Sequence, residues 1–254
     1  MHLPSRTFWP AASGDLPVVM TDRLRIFRGN LDKVREQIES AAQRAGRAAG
    51  EIRTVAVSKY VDAEVTRDLV TAGCKTLGES RPQALWDKAD QLHDLSIEWH
   101  MVGHLQRNKV RRTIPYVTMI QSVDSLRLLT TINDEARALE RVIPILLEVN
   151  ISGDADKHGF APDAIEPLLE TLVDFKNVTI RGLMAMAHRV GGAEVARRDF
   201  AAVRELRDRL RAAAPENVSL DELSMGMSHD FPEAIAEGAT LIRVGRALFS
   251  DILA

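Results

Sequence analysis

One cysteine, two tyrosines and three tryptophans among 254 residues make a sparse set, and each scarcity excludes something. Cys74 alone cannot close an intramolecular disulfide, and no C-x-x-C pair is present to hold a metal or run redox exchange. A reducing, cytoplasmic setting is the simplest expectation. No apolar run approaches the ~18 residues that a membrane-spanning helix needs, so no membrane partner is expected. Thirty-three basic residues stand against 36 acidic ones, a net charge of −3 without a long basic block. That balance gives no electrostatic reason to expect nucleic acid. Arg107, Lys109, Arg111 and Arg112 lack interleaved aromatics and read as a solvated helix face. With 45% hydrophobic and 27% charged residues, the chain is not disordered either.

Residues 1–22 carry three prolines and no continuous apolar core of ~7–15 residues, so they read as a loose N-terminal extension rather than a secretory signal. Met20 precedes Thr21-Asp22, an N-cap pair, which admits Met20 as the natural start. No Gly/Ser/Pro-rich linker interrupts the remainder, and a single domain over residues 23–254 is expected.

Apolar residues recur at helical spacing over 24–49 (Leu24, Ile26, Leu31, Val34, Ile38, Ala41, Ala45), which predicts an amphipathic helix. The period then changes. Short apolar stretches at 54–60, 74–80, 98–104, 118–124, 144–150, 179–186, 220–226 and 240–245 make eight strand candidates. Charged, helically periodic segments at 62–72, 81–94, 105–113, 125–139, 162–175, 194–213 and 230–237 lie between them. Strands apolar on both faces, separated by helix-length connections, signify a parallel sheet with helical crossovers. Eight such units predict an α/β fold, a single (β/α)8 TIM barrel. An open doubly wound sheet is the alternative, but no G-x-G-x-x-G follows the first strand.

Barrel chemistry belongs where strands run out into the following loops, because those loops converge on one face. Lys59 ends the first strand after Val55 and Val57, and that alternation aims its ammonium into the mouth. Desolvation there lowers a lysine's pKa and suits it to attack a carbonyl and form a Schiff base, although most lysines at strand ends simply reach solvent. The seventh and eighth strands end in Ser224-Met225-Gly226-Met227-Ser228 and Arg243-Val244-Gly245-Arg246. Glycines there let backbone N–H groups approach an anion, and this is the usual phosphate site of a barrel; plain turn chemistry is the other reading. A carbonyl-capturing lysine opposite a phosphate cradle describes a site for a phosphorylated aldehyde, of which pyridoxal 5′-phosphate is the commonest cofactor.

The segments VAVSKY (55–60), GES with Gln83, WHMVGHLQRNK (99–109), QSVDS (121–125), LEVNISGDADKHGF (147–160), GLMAM (182–186), LSMGMSHDFPEAI (223–235) and ATLIRVGRALF (239–249) resemble, in order, the YggS/PROSC-type pyridoxal phosphate homeostasis proteins. The resemblance covers about residues 24–250. It implies a barrel of the alanine racemase N-terminal type with the cofactor as a Schiff base on Lys59. It also implies that Ser224, Gly226, Gly245 and the backbone of Arg246 hold the phosphate, with Ser228 adding a donor. Arg243 matches the arginine that this fold type sets against the pyridine nitrogen. A guanidinium there keeps the ring unprotonated and makes it a weaker electron sink. Ser80, His104 and Met184 complete the expected cofactor contacts. Three positions depart from the family pattern: Ser80 replaces the asparagine of Gly-Glu-Asn, Arg246 replaces a small residue, and His229 stands where aspartate is common.

The scaffold's racemases use a second acid/base, typically a tyrosine from a further domain of a partner subunit. By strand alternation Tyr60 faces away from the barrel interior, and Tyr116 precedes the fourth strand at the opposite end. The expectation is therefore a binding protein, a monomer, that stores pyridoxal phosphate and delivers it to dependent apoenzymes. A weak racemase or other catalyst on the same scaffold, and a cofactor-free phosphosugar aldolase using Lys59, are the alternatives. His100 and His104, four apart on a strand, stand about 13 Å from each other, so no metal site is expected. Leu183, Met184 and Met186 suit the barrel core, and Asn150, Ser152, Lys157 and Gly159 form a polar loop at the mouth.

Overall fold

A computed structural model describes residues 21–154, 157–215 and 217–252. The extension expected over 1–22 lies outside the described residues up to residue 20, Met20 included. Thr21 and Asp22 already belong to the first helix, α1 (Asp22–Arg44), whose N-cap Thr21 accepts a hydrogen bond from the Leu24 N–H at 3.2 Å. The helix ends at Arg44 rather than at residue 49, where Gly46, at φ +65°, lets the chain turn.

The units that follow are β1 (Arg53–Val57), α2 (Ala63–Thr71), β2 (Thr76–Glu79), α3 (Pro82–Gln91), β3 (Glu98–Met101), α4 (Val110–Thr113), β4 (Val117–Val123), α5 (Leu126–Ala138) and β5 (Ile143–Val149). After them come two single turns, α6 (Pro162–Ile165) and α7 (Leu169–Leu172), then β6 (Val178–Ala185), α8 (Gly192–Arg211), β7 (Val218–Met227), α9 (Phe231–Ala236) and β8 (Leu241–Val244). Every strand pairs parallel with its successor, and β8 returns to β1, with Val55 opposite Arg243. The eight-unit expectation is met in a closed barrel.

Alternation along the strands divides the buried residues into two layers. Ala56, Leu147, Leu183, Ile242 and Val244 join the main core between strands and helices. Their neighbours Val55, Leu146, Met184 and Leu241, with Met119, form a separate cluster that fills the barrel lumen. Arg243 is two residues beyond Leu241 and Glu148 two beyond Leu146, so both point into the lumen on the side of the strand C-termini. Gly182 lets β6 and β7 approach closely, since a Cβ there would lie 1.8 Å from the carbonyl oxygen of Glu222.

Helix α1 packs against α9 and α2. Its Phe27 meets Phe249 edge-on at 5.7 Å, and Asn30 Nδ2 donates to the carbonyls of Leu248 and Ser250 at 3.1 and 2.9 Å. These contacts tie the segment after β8 to the first helix. Among the described residues, no helix is long and apolar enough to cross a membrane.

Candidate functional site

Strand β1 stops at Val57, three residues short of the expected end, so its alternation does not govern Lys59 and Tyr60. Lys59 is half-buried in the loop to α2, and its Nζ lies 4.9 Å from the centroid of the Tyr60 ring. Tyr60 is 59% exposed at the mouth beside that ammonium. Tyr60, expected to face away from the barrel interior, is thus an exposed loop residue whose ring lies against the lysine's ammonium. Tyr116 does sit at the other end, its hydroxyl donating to Asp90 Oδ1 at 2.8 Å ahead of β4.

Beneath Lys59 lies an ion pair that sequence reading missed. Lys88 of α3 donates to Glu79 Oε2 at 2.6 Å and to the Ser58 carbonyl at 2.7 Å, with Ser58 Oγ at 3.3 Å. Glu79 Oε1 accepts the N–H groups of Ser80 and Arg81 at 2.8 and 3.3 Å. Both charges are buried and fully partnered. The pair therefore clamps the β1 loop to the β2 loop, and Arg81 Nη2, donating to the Lys59 carbonyl at 3.1 Å, adds a second tie.

Arg243 is buried in the lumen. Its Nη1 donates to the Ser224 carbonyl and hydroxyl, both at 2.7 Å, and its Nη2 to the Ala185 carbonyl at 2.9 Å. The Ser224 hydroxyl donates to Gln121 Oε1 at 2.7 Å, and Gln121 Nε2 donates to His100 Nδ1 at 2.8 Å. A chain of four side chains thus crosses the barrel from β8 through β7 and β4 to β3. Burial, reinforced by the charge of Arg53, lowers His100 to about 3, so its ring is neutral and accepts at Nδ1. Burial lowers Arg243 to about 10, against the raising fields of Glu148 and Asp230. Glu148 is pushed up to about 7 by burial first and by Asp124 second.

The residues expected to cradle an anion occupy the end of β7 and the turns after β7 and β8. Gly226 has φ +88°, and a Cβ on it would lie 2.6 Å from Ala234 Cβ of α9. Ser228 Oγ faces the backbone N–H groups of Gly245 and Ala247 at 3.2 and 3.4 Å. Arg246 is exposed. Ser224 is not part of this turn: its hydroxyl is fully buried, with Arg243 and Gln121 as partners. Met184 is packed in the lumen layer with Val55 and Leu146. Ser80 is half-buried against Gly103, where a Cβ would meet the Ser80 carbonyl oxygen at 2.4 Å.

Strand β3 ends at Met101, so His104 stands in a loop, away from the buried His100. It lies instead beside residues of two other loops. His104 Nδ1 is 2.8 Å from Asp124 Oδ2, and its ring stacks on His158 with centroids 4.0 Å apart and planes 13° from parallel. No spacing signal foretells this cluster, because its members follow three different strands. Lys157 donates to the Ala187 carbonyl at 3.1 Å, which links the loops after β5 and β6.

The family model described as "Alanine racemase, N-terminal domain" matches residues 29–252. A pyridoxal phosphate homeostasis protein of Aquifex aeolicus is 40% identical over 87% of this chain and 96% of its own. The structure of PipY from Synechococcus elongatus with pyridoxal phosphate bound superposes with a TM-score of 0.78 at 34% identity, covering 88% of this chain and 99% of that one. An alanine racemase of Clostridium difficile shares the fold at a TM-score of 0.67 and 16% identity, over 89% of this chain and 56% of its own.

Proposed function

The chain belongs to the alanine racemase N-terminal domain family and, within it, to the pyridoxal phosphate homeostasis proteins, and on that premise we propose that it binds pyridoxal 5′-phosphate covalently on Lys59 and stores and delivers it. The observation that carries the reading is the buried guanidinium of Arg243, held by three acceptors in the lumen on the strand next to β1, which leads into the loop of Lys59. A cation so fixed is suited to face a neutral ring nitrogen. The residues fit the group in their chemistry as well: an amine, a guanidinium and a turn whose N–H groups of Gly245 and Ala247 converge on one hydroxyl. When bound, pyridoxal phosphate supplies an aldehyde that condenses with amines and a ring that withdraws electrons.

In this reading Gly226, Ser228, Gly245 and the backbone of Arg246 cradle the phosphate. Ser224 orients Arg243, while Ser80, His104 and Met184 border or floor the cavity. The Lys88–Glu79 pair fixes the loop on which Lys59 is mounted.

A second reading, a weak amino-acid racemase, has one observation in its favour. Tyr60 places a phenol next to the Lys59 ammonium at the open mouth, where it is available to carry a proton. One experiment separates the two. The loaded protein is incubated with an apoenzyme dependent on pyridoxal phosphate, and in parallel with L-amino acids in deuterated water. The carrier reading predicts reactivation of the apoenzyme and no Cα deuterium incorporation. Deuterium incorporation that is lost in Tyr60→Phe favours the racemase.

A further inference from the structure

We propose that His104, Asp124 and His158 form a site for a divalent transition ion of the zinc class on the rim of the barrel mouth. The three residues come from the loops after β3, β4 and β5, and each offers a ligand atom within 4.8 Å of the others. Asp124 Oδ2 stands 2.8 Å from His104 Nδ1 and 3.6 Å from His158 Nδ1. Ligands of a tetrahedral zinc ion, with bonds of about 2.0–2.1 Å, stand roughly 3.3 Å apart, and the two separations bracket that value.

An ordinary hydrogen bond accounts for only half of the arrangement. His104 is within reach of the carboxylate, whereas His158 Nδ1 at 3.6 Å lies beyond it. A second imidazole is therefore held face to face with the first, within ion-pair distance of that carboxylate but without a hydrogen bond to it. The electrostatics favour a cation at this place. Asp124 is largely buried on the rim and its charge acts on Glu148 in the lumen, so a cation beside Asp124 would offset the repulsion between the two carboxylates. Two imidazoles with one carboxylate form a borderline donor set, suited to zinc, cobalt(II) or nickel(II) rather than to magnesium or calcium.

Stacked rings direct their in-plane nitrogens along parallel planes, so joint coordination requires one ring to turn about its Cβ–Cγ bond. Both side chains are more than two-fifths exposed, which leaves room for that turn. Three protein ligands leave a fourth position open to water or to an amine or carboxylate of a small molecule. The inference does not rest on the cofactor reading, since the three residues bind the ion by themselves.

The test is a titration of the chelator-treated full chain, free of pyridoxal phosphate, with cobalt(II) by visible absorbance and with zinc(II) by calorimetry. The expected result is one ion per chain, with His104→Ala and His158→Ala each weakening binding about tenfold or more. His93→Ala, an exposed histidine elsewhere, serves as the control and leaves binding unchanged. Far-UV circular dichroism checks that the variants are folded, and His158→Ala, changed only in a surface loop, still decides the matter should His104→Ala be damaged. Absence of saturable binding overturns the proposal, as does binding that neither histidine variant weakens.

Discussion

At the residue scale, two serines of one sequence cluster have separate environments. Ser228 faces the N–H groups of Gly245 and Ala247, while Ser224 sits inside the barrel between Arg243 and Gln121. Ser224→Ala leaves the Gln121 oxygen without its donor, which costs about 1–3 kcal/mol for a buried acceptor. The expected outcome is a lower urea midpoint with inorganic phosphate still competing normally for the cofactor site. Ser228→Ala has the opposite profile, with nearly unchanged stability and weaker competition by phosphate. Equal loss of phosphate competition in both variants would contradict this division. Sequence reading gave both serines to one anion cradle because the motif is contiguous, but the pleat of β7 carries Ser224 inward and only the residues past Met227 leave the strand. Arg243 was legible through the family resemblance, and the structure adds the physical reason: alternation along β8 sets it inward, two residues beyond the lumen residue Leu241.

At the scale of elements, the buried Lys88–Glu79 pair joins α3 to the end of β2 and to the loop bearing Lys59. Removing one partner of a buried pair typically costs 3–5 kcal/mol, because the other charge stays behind unpaired. Lys88→Met is therefore expected to destabilise the fold by about that amount. The double variant Lys88→Met with Glu79→Gln should recover part of it, as read from denaturant unfolding. A single variant as stable as the parent would show that the pair contributes nothing. Sequence reading located the helices and strands around this pair because their apolar periods are strong. It overran the strand ends at Lys59 and His104, because loop residues here continue the apolar pattern into Tyr60-Val61 and Val102. The pair itself was invisible, since a lysine nine residues after a glutamate carries no periodic signature. The His104, Asp124 and His158 cluster was hidden more deeply, assembled only by closure of the barrel.

At the scale of the whole molecule, two buried groups set opposing pH slopes. His100 titrates near 3 in the fold against an ordinary 6.5, so its contribution is fully present above 6.5 and is lost as pH falls toward 3. Glu148 titrates near 7 against an ordinary 4.5, so the fold favours its protonated form and stability is lost as pH rises from 4.5 to 7. The two shifts amount to about 5 and about 3 kcal/mol at most. Between pH 4.5 and 6.5 they oppose each other. Glu148→Gln removes the falling component, so the variant's stability should climb more steeply with pH than the parent's over that interval. Parallel unfolding curves across pH would refute the assignment of Glu148. At the same scale, barrel closure brings β8 beside β1 and so sets Arg243 and Lys59 at one mouth, although they are 184 positions apart in the chain.

The central claim, a pyridoxal phosphate site built on Lys59, is tested most directly by trapping. The full chain is mixed with pyridoxal phosphate, reduced with borohydride, digested and examined by peptide mass spectrometry. A pyridoxyl group on the peptide containing Lys59, absent from Lys59→Ala, is the predicted result. No adduct, or an adduct confined to another lysine such as Lys157, would contradict it.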